Sequence, residues 1–282
     1  MLTQKIGIIG GGNMARSLVG GLTEHGLAPA LLTVAEPAAS QREELERRWG
    51  VRTCADNSAA VRGAGVVVFA VKPQMMKIVA REVASELRAS GAVALSIAAG
   101  IRVSDIARWL GAGVPIVRSM PNRPALIGRG ISALYAARDV PQSARTAAES
   151  ILAAVGATLW VDEESLIDAV TAVSGSGPAY FFLLMELMEA AGCELGLPAA
   201  TARELALETA YGAASMAHAR TDDPATLREQ VTSKGGTTAA ALAVFAEADL
   251  AGIVRRAVMA AARRSAELAA TYGHSDGDSD SG

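Results

Sequence analysis

The sequence predicts an α/β fold, a doubly wound parallel sheet followed by an all-helical domain. Three observations carry this. Strand-like and helix-like segments alternate through the first half, a glycine-rich turn joins the first strand to the first helix, and after Val161 almost nothing reads as strand. Lys5–Ile9 is a short apolar run followed by Gly10-Gly11-Gly12 and a helical stretch from Asn13 to about His25. Leu32–Ala35 is a second strand and Gln41–Trp49 a charged helix. Val66–Val71 is apolar and β-branched throughout, as in a strand buried on both faces. Met75–Leu87 reads as helix, Ala92–Ile97 as strand, Ser104 as the cap of a helix to Leu110, and Pro115–Val117 as a short strand. Ile131–Tyr135 and Thr158–Val161 are strands around a helix at Ala144–Val155. Helices follow at Pro178–Leu195, Ala199–Ala219, Pro224–Val231, Thr237–Phe245 and Leu250–Tyr272. Pro178, Pro198 and Pro224 stand near helix starts, where a missing N–H costs nothing. The expected domains are 1–161 and 162–274, with a disordered tail at 275–282, which holds only Ser, Asp and Gly.

Composition narrows the class. The 282 residues carry 26 Lys and Arg against 29 Asp and Glu, a net charge of −3 that attracts neither nucleic acid nor an anionic membrane. Charged residues are 20% and hydrophobic ones 51%, which excludes disorder for most of the chain. No unbroken apolar run approaches about 18 residues, so no membrane span is expected. Nor is a signal peptide expected, and the reading is cytoplasmic. Cys54 and Cys193 are expected to be reduced, buried thiols. His25, His218 and His274 lack ligand spacing, so no metal site is expected. Helix Pro178–Leu195 is apolar on nearly every side, and the last helix is alanine-rich with Arg255, Arg256, Arg263 and Arg264 as a solvated face. Both read as dimer-forming elements, because a helix apolar all round must be covered.

Six segments point to chemistry. Gly10-Gly11-Gly12-Asn13-Met14-Ala15 matches G-x-G-x-x-A between a strand and a helix. There the backbone admits a pyrophosphate, and the helix N-terminus offers it free N–H groups. Glu36, after the second strand, can accept from an adenosine ribose 2′-OH, which favours NAD(H); Arg42 nearby can instead meet a 2′-phosphate, and the choice stays open. Ala70-Val71-Lys72-Pro73-Gln74 and Ser96-Ile97-Ala98-Ala99-Gly100 end the next two strands, at the edge where open sheets bind ligands. Met120–Ala125, with two prolines, is a stiff loop at the same edge. Ser174-Gly175-Ser176-Gly177 opens the apolar helix, and Thr232-Ser233-Lys234-Gly235-Gly236-Thr237-Thr238 opens a later one. Two hydroxyl-rich turns at helix starts suit a substrate with a carboxylate. No histidine lies in any of these loops, which suits reduction of a protonated imine better than of a carbonyl.

These motifs, with the stretch Pro224–Phe245, resemble the Δ1-pyrroline-5-carboxylate reductases over nearly the whole chain. The resemblance implies a Rossmann-type domain followed by a helical dimerisation domain, and hydride transfer from NADP(H), with NAD(H) as the alternative, to pyrroline-5-carboxylate. By position it implies cofactor contacts from Gly10, Gly12, Asn13, Met14, Glu36, Asn57, Ala70, Lys72, Pro73, Ala98, Ala99 and Gly100. It places Ser233, Gly236, Thr237 and Thr238 on the substrate, with Thr238 as the hydrogen-bond partner or proton donor of the ring nitrogen. Ser174 and Ser176 join the substrate set from the turn argument. In the family the site lies between one subunit's Rossmann domain and its partner's helices, and dimers often assemble into decamers. Three residues depart from the family pattern: Arg123 for Thr, Lys234 for Pro and Ala246 for an acid or amide. Two other readings compete. One is a related β-hydroxyacid dehydrogenase using Lys234, the lone lysine after Val161; the other is an NAD(P)-sensing module without turnover.

Overall fold

The computed structural model describes residues 3–219 and 222–273, so the expected tail at 275–282 lies outside the described residues. The strands are β1 (Ile6–Ile9), β2 (Leu32–Ala35), β3 (Arg52–Cys54), β4 (Val66–Phe69), β5 (Val93–Ser96), β6 (Ile116–Met120), β7 (Gly130–Ala136) and β8 (Gly156–Trp160). They form one sheet in the order β3-β2-β1-β4-β5-β6-β7-β8. All neighbours are parallel except β6 and β7. The wholly parallel sheet expected from sequence is therefore broken once. Only the short 3-10 turn Arg123–Ile127 joins β6 to β7, and a parallel return needs a much longer crossover.

Helices α1 (Asn13–Glu24), α2 (Ala39–Trp49), α3 (Asn57–Val61), α4 (Pro73–Ser90), α5 (Val103–Leu110) and α6 (Gln142–Ala153) cover the sheet. Strand side chains alternate between two cores. Val66 and Val68 pack with Leu18, Val19 and Leu22 of α1 and Ile151 and Leu152 of α6. Val67 and Phe69 pack with Met76, Val83 and Leu87 of α4 and Ile106 and Trp109 of α5. Burying each such side chain is worth about 1.5–3 kcal/mol. Ser104 does not cap α5. Arg102 holds the cap position without a side-chain bond, and the Val103 amide instead donates to Glu164 Oε1 at 2.7 Å.

The remaining helices are α7 (Leu166–Val170), α8 (Gly177–Glu194), α9 (Ala199–His218), α10 (Pro224–Gln230), α11 (Thr237–Glu247) and α12 (Leu250–Gly273). The chain forms two compact units, one running to Ser176 and resumed from Ala261, the other Gly177–Ala260. In the first, Asp168 accepts from Ser265 Oγ at 2.6 Å, Gln74 Nε2 donates to Tyr272 Oη at 3.0 Å, and so the end of α12 rests beside α4. In the second, α8 packs on α9 through Gly192 against Ala202, and Arg203 makes a forked ion pair with Glu189.

The helical run Leu166–Glu194 is continuous because a π turn, Thr171–Gly175, carries it through the glycines. By length and composition it is able to cross a membrane, with a mean hydropathy of 1.2 over its most apolar window. The sequence expectation rested on unbroken apolar runs, which Glu186 and Glu189 interrupt here, and the core helix of a soluble protein has the same length and composition. Phe181 is 64% exposed and Phe182 58% in the single chain. Both cysteines are free, but neither is buried as expected: Cys54 is half-buried and Cys193, on the uncovered α8, is exposed.

Arg118 is buried beside Glu164, whose Oε1 it meets at 2.9 Å. Glu164→Ala is expected to cost about 3 kcal/mol by leaving that guanidinium unpaired, read as a fall in the denaturant midpoint at fixed protein concentration.

Candidate active site

Gly10 follows directly on β1, and its φ is +100°. A β-carbon there would lie 2.6 Å from the Ala70 carbonyl oxygen. The absence of a side chain lets the turn close between the ends of β2 and β4, with the Gly10 amide donating to Ala35 O at 2.8 Å. The turn then delivers α1 with Gly12 at its cap, no side-chain cap and open space over the glycine. The exposed Asn13 and half-buried Met14 follow, so the first amides of α1 face outward without a capping side chain. This cradle fits a dinucleotide pyrophosphate.

Glu36 continues from β2 and is buried. Its Oε2 accepts from the Gly11 amide at 2.8 Å and its Oε1 from Ala38 N at 3.0 Å. Arg42 is turned onto backbone, its Nη1 donating to the Glu36 and Pro37 carbonyls at 2.8 Å each. Asn57 opens α3, and its Nδ2 donates to Glu82 at 2.8 Å. Ala70 begins the loop after β4, Lys72 is the exposed cap of α4, and Pro73 is that helix's first residue. After β5, Ala98 is buried, with its amide on Ser96 Oγ at 3.3 Å; Ala99 is exposed. Gly100 is covered by Tyr272 of α12. These residues share the carboxyl edge of the parallel strands.

Asn122 was not assigned a role from sequence, yet it joins three segments. Its Nδ2 donates to the Ser174 carbonyl at 3.1 Å, and its Oδ1 accepts from Ile131 N at 2.9 Å. Gly175 lies so close to β6 that a β-carbon would stand 2.7 Å from Met120 Cε. Ser174 and Ser176 are therefore held at the end of β6, beside β5. The Ser176 amide donates to Thr171 O at 2.8 Å, closing the π turn. Turns of this kind recur at functional sites. Pro121-Asn122 hinted at a stiff loop, but no local pattern foretells a bond across 52 residues.

In the second unit, Gly236 caps α11 without a side-chain bond. Gly235 turns the chain at φ +72°, and the Ser233 hydroxyl lies over Gly236. Thr237 is exposed and Thr238 half-buried in the first turn of the helix. Ser233, Gly236, Thr237 and Thr238 thus surround a second uncapped N-terminus, and Lys234 is exposed on the same turn. The preceding helix α10 is capped by contrast: the Thr226 amide donates to Asp223 and holds that carboxyl below its ordinary pKa. Arg123 is exposed at the start of the 3-10 turn.

Comparison with known proteins agrees with this layout. Residues 164–268 match the pyrroline-5-carboxylate reductase dimerisation family, and residues 5–100 match the coenzyme F420-dependent NADP oxidoreductase family. The pyrroline-5-carboxylate reductase of Pseudomonas aeruginosa is 47% identical, over 97% of this chain and 100% of its own. The chain belongs to the pyrroline-5-carboxylate reductase family. The Vibrio alginolyticus reductase is 42% identical over 94% of this chain and 97% of its own. The Coxiella burnetii reductase structure superposes with a TM-score of 0.91 at 39% identity, covering 95% of this chain and 99% of that one. The Plasmodium falciparum reductase, solved with NADP bound, gives 0.84 at 26% identity, covering 95% and 99%.

Two substitutions probe this site within the family frame. Asn122→Asp keeps the acceptor for Ile131 N but sets a carboxylate against the Ser174 carbonyl. It should lower turnover about tenfold, the worth of one mispaired buried bond, with cofactor affinity within about twofold by fluorescence titration. Burial, aided by Asp56, raises the Cys54 thiol pKa and keeps it protonated near neutrality, so Cys54→Ser should retain full turnover.

Proposed function

We propose that this chain reduces L-1-pyrroline-5-carboxylate to L-proline by hydride transfer from NAD(P)H, the last step of proline biosynthesis. The near full-length match to reductases of that name carries the reading, and the two uncapped, glycine-lined helix starts support it. In this reading residues 1–161 form the cofactor domain and 162–274 the helical substrate and dimerisation domain. Gly10, Gly12, Asn13 and Met14 hold the pyrophosphate, and Glu36 meets the adenosine ribose. Asn57, Ala70, Lys72, Pro73, Ala98, Ala99 and Gly100 line the rest of the cofactor edge. When bound, the reduced nicotinamide supplies the hydride.

The substrate carboxylate takes the free amides and hydroxyls of Ser233, Gly236 and Thr237 at the start of α11. Ser174 and Ser176 belong to the same proposed substrate set. Thr238 is the hydrogen-bond partner of the ring nitrogen, its hydroxyl oxygen accepting from the N–H of the protonated imine, and it fixes which carbon faces the cofactor. A protonated imine already carries its positive charge, so hydride addition leaves a neutral amine. No strong acid is then required of the protein, which accords with hydroxyls rather than a histidine in these turns.

The chain acts as a homodimer in this reading. The exposed phenylalanines and leucines of α8 are what a second copy covers, which also accounts for an apolar helix without a bilayer. Assembly of dimers into decamers and a cytoplasmic location belong to the same reading, as do partners limited to small molecules and further copies of the chain.

Steady-state oxidation of reduced nucleotide with pyrroline-5-carboxylate tests it. The purified protein should turn over, and Thr238→Ala should lower kcat on the order of 100-fold while the fold persists by circular dichroism. Folded protein that binds nucleotide but leaves the imine unreduced contradicts the reading.

A further inference from the structure

We propose that Glu36 makes this chain select NADH over NADPH, an inference that rests on the dinucleotide reading of the first unit. Sequence alone left Glu36 and Arg42 as rivals at this position, one suited to a free ribose and the other to a 2′-phosphate. The geometry separates them. Glu36 follows directly on β2, at the carboxyl edge beside the α1 turn where the adenosine ribose of a doubly wound fold lies. Its carboxylate is fixed at both oxygens, by the Gly11 amide at 2.8 Å and the Ala38 amide at 3.0 Å. Only 9% of the residue is exposed, and its Cγ lies 3.0 Å from where a β-carbon on Gly11 would stand. A loose surface glutamate swings aside to admit a phosphate; this one loses two hydrogen bonds, one of them buried, if it moves.

The neighbouring cations are all engaged, Arg16 and Arg62 by carboxylates and Arg42 by backbone carbonyls. Arg42 spends Nη1 on the Glu36 and Pro37 carbonyls. Arg16 donates Nε to Gly11 O at 3.0 Å and pairs with Glu44 at 2.9 Å. Arg62 faces Asp56 at 3.5 Å. Each oxygen of Glu36 keeps a lone pair for a ribose hydroxyl. A 2′-phosphate brings close to two negative charges against a carboxylate that cannot withdraw.

The test measures binding without turnover. ADP-ribose and 2′-phospho-ADP-ribose are titrated into the purified protein by calorimetry, with no imine present. Wild type should bind ADP-ribose on the order of 100-fold more tightly than the phosphorylated form. Glu36→Gln, which removes the charge and keeps the shape, should narrow that ratio about tenfold or more; Glu36→Ser should narrow it further wherever its thermal melt shows a folded protein. Equal or tighter binding of the phosphorylated ligand by wild type overturns the proposal, as does an unchanged ratio in folded Glu36→Gln. Failure to bind either ligand overturns it together with the dinucleotide reading. Discrimination between the ligands without imine turnover upholds it while the reductase reading fails.

Discussion

The Ala70 carbonyl stands 2.6 Å from where a β-carbon on residue 10 would be, and the cofactor edge depends on nothing being there. Because Gly10 closes in this way, the Ile9 carbonyl still accepts from the Ala70 amide at 2.9 Å and the Gly10 amide still reaches Ala35. The ends of β1, β2 and β4 are thereby tied before α1 begins. The Gly11 amide is then presented to Glu36, and the α1 cap is left without a side chain. One steric vacancy thus sets the uncapped start of α1 and the placement of the Glu36 carboxylate together.

The proposed substrate turn obeys a similar logic with different neighbours. Gly235 and Gly236 bend the chain so that α11 starts with a free cap, whereas α10 a few residues earlier is closed by Asp223. The contrast separates a helix start closed by a carboxylate from one whose first amides carry no side-chain cap. The same unit buries little apolar surface of its own: Ala202 and Ala206 are covered, while the phenylalanines of α8 are not. A second copy of the chain, in the proposed dimer, completes that core.

Much of this was legible from sequence where a local pattern has one physical reading. The strands with continuous Val, Ile and Leu, the turn at Gly10–Gly12 and the helix starts at Pro224 and Thr237 all fall where expected. β3 escaped because three residues, one an exposed arginine, carry no period. The antiparallel β7 escaped because strand direction follows from connection length rather than strand composition. The helix through Ser174–Gly177 escaped because glycines read as a break, while a π turn absorbs them. The Glu36 clamp spans 25 residues and the Asn122 bridge 52, so neither leaves a local trace. Cys193 looked buried because its helix is apolar, but burial of α8 awaits a partner.

The most direct test of the central claim is to follow the hydrogen itself. The protein is supplied with reduced nucleotide deuterated at the transferring position of the nicotinamide, together with pyrroline-5-carboxylate, and the product is read by mass spectrometry. The account predicts proline carrying a single deuterium at the carbon that had been part of the imine. Unlabelled proline, or nucleotide oxidation without proline, would contradict it.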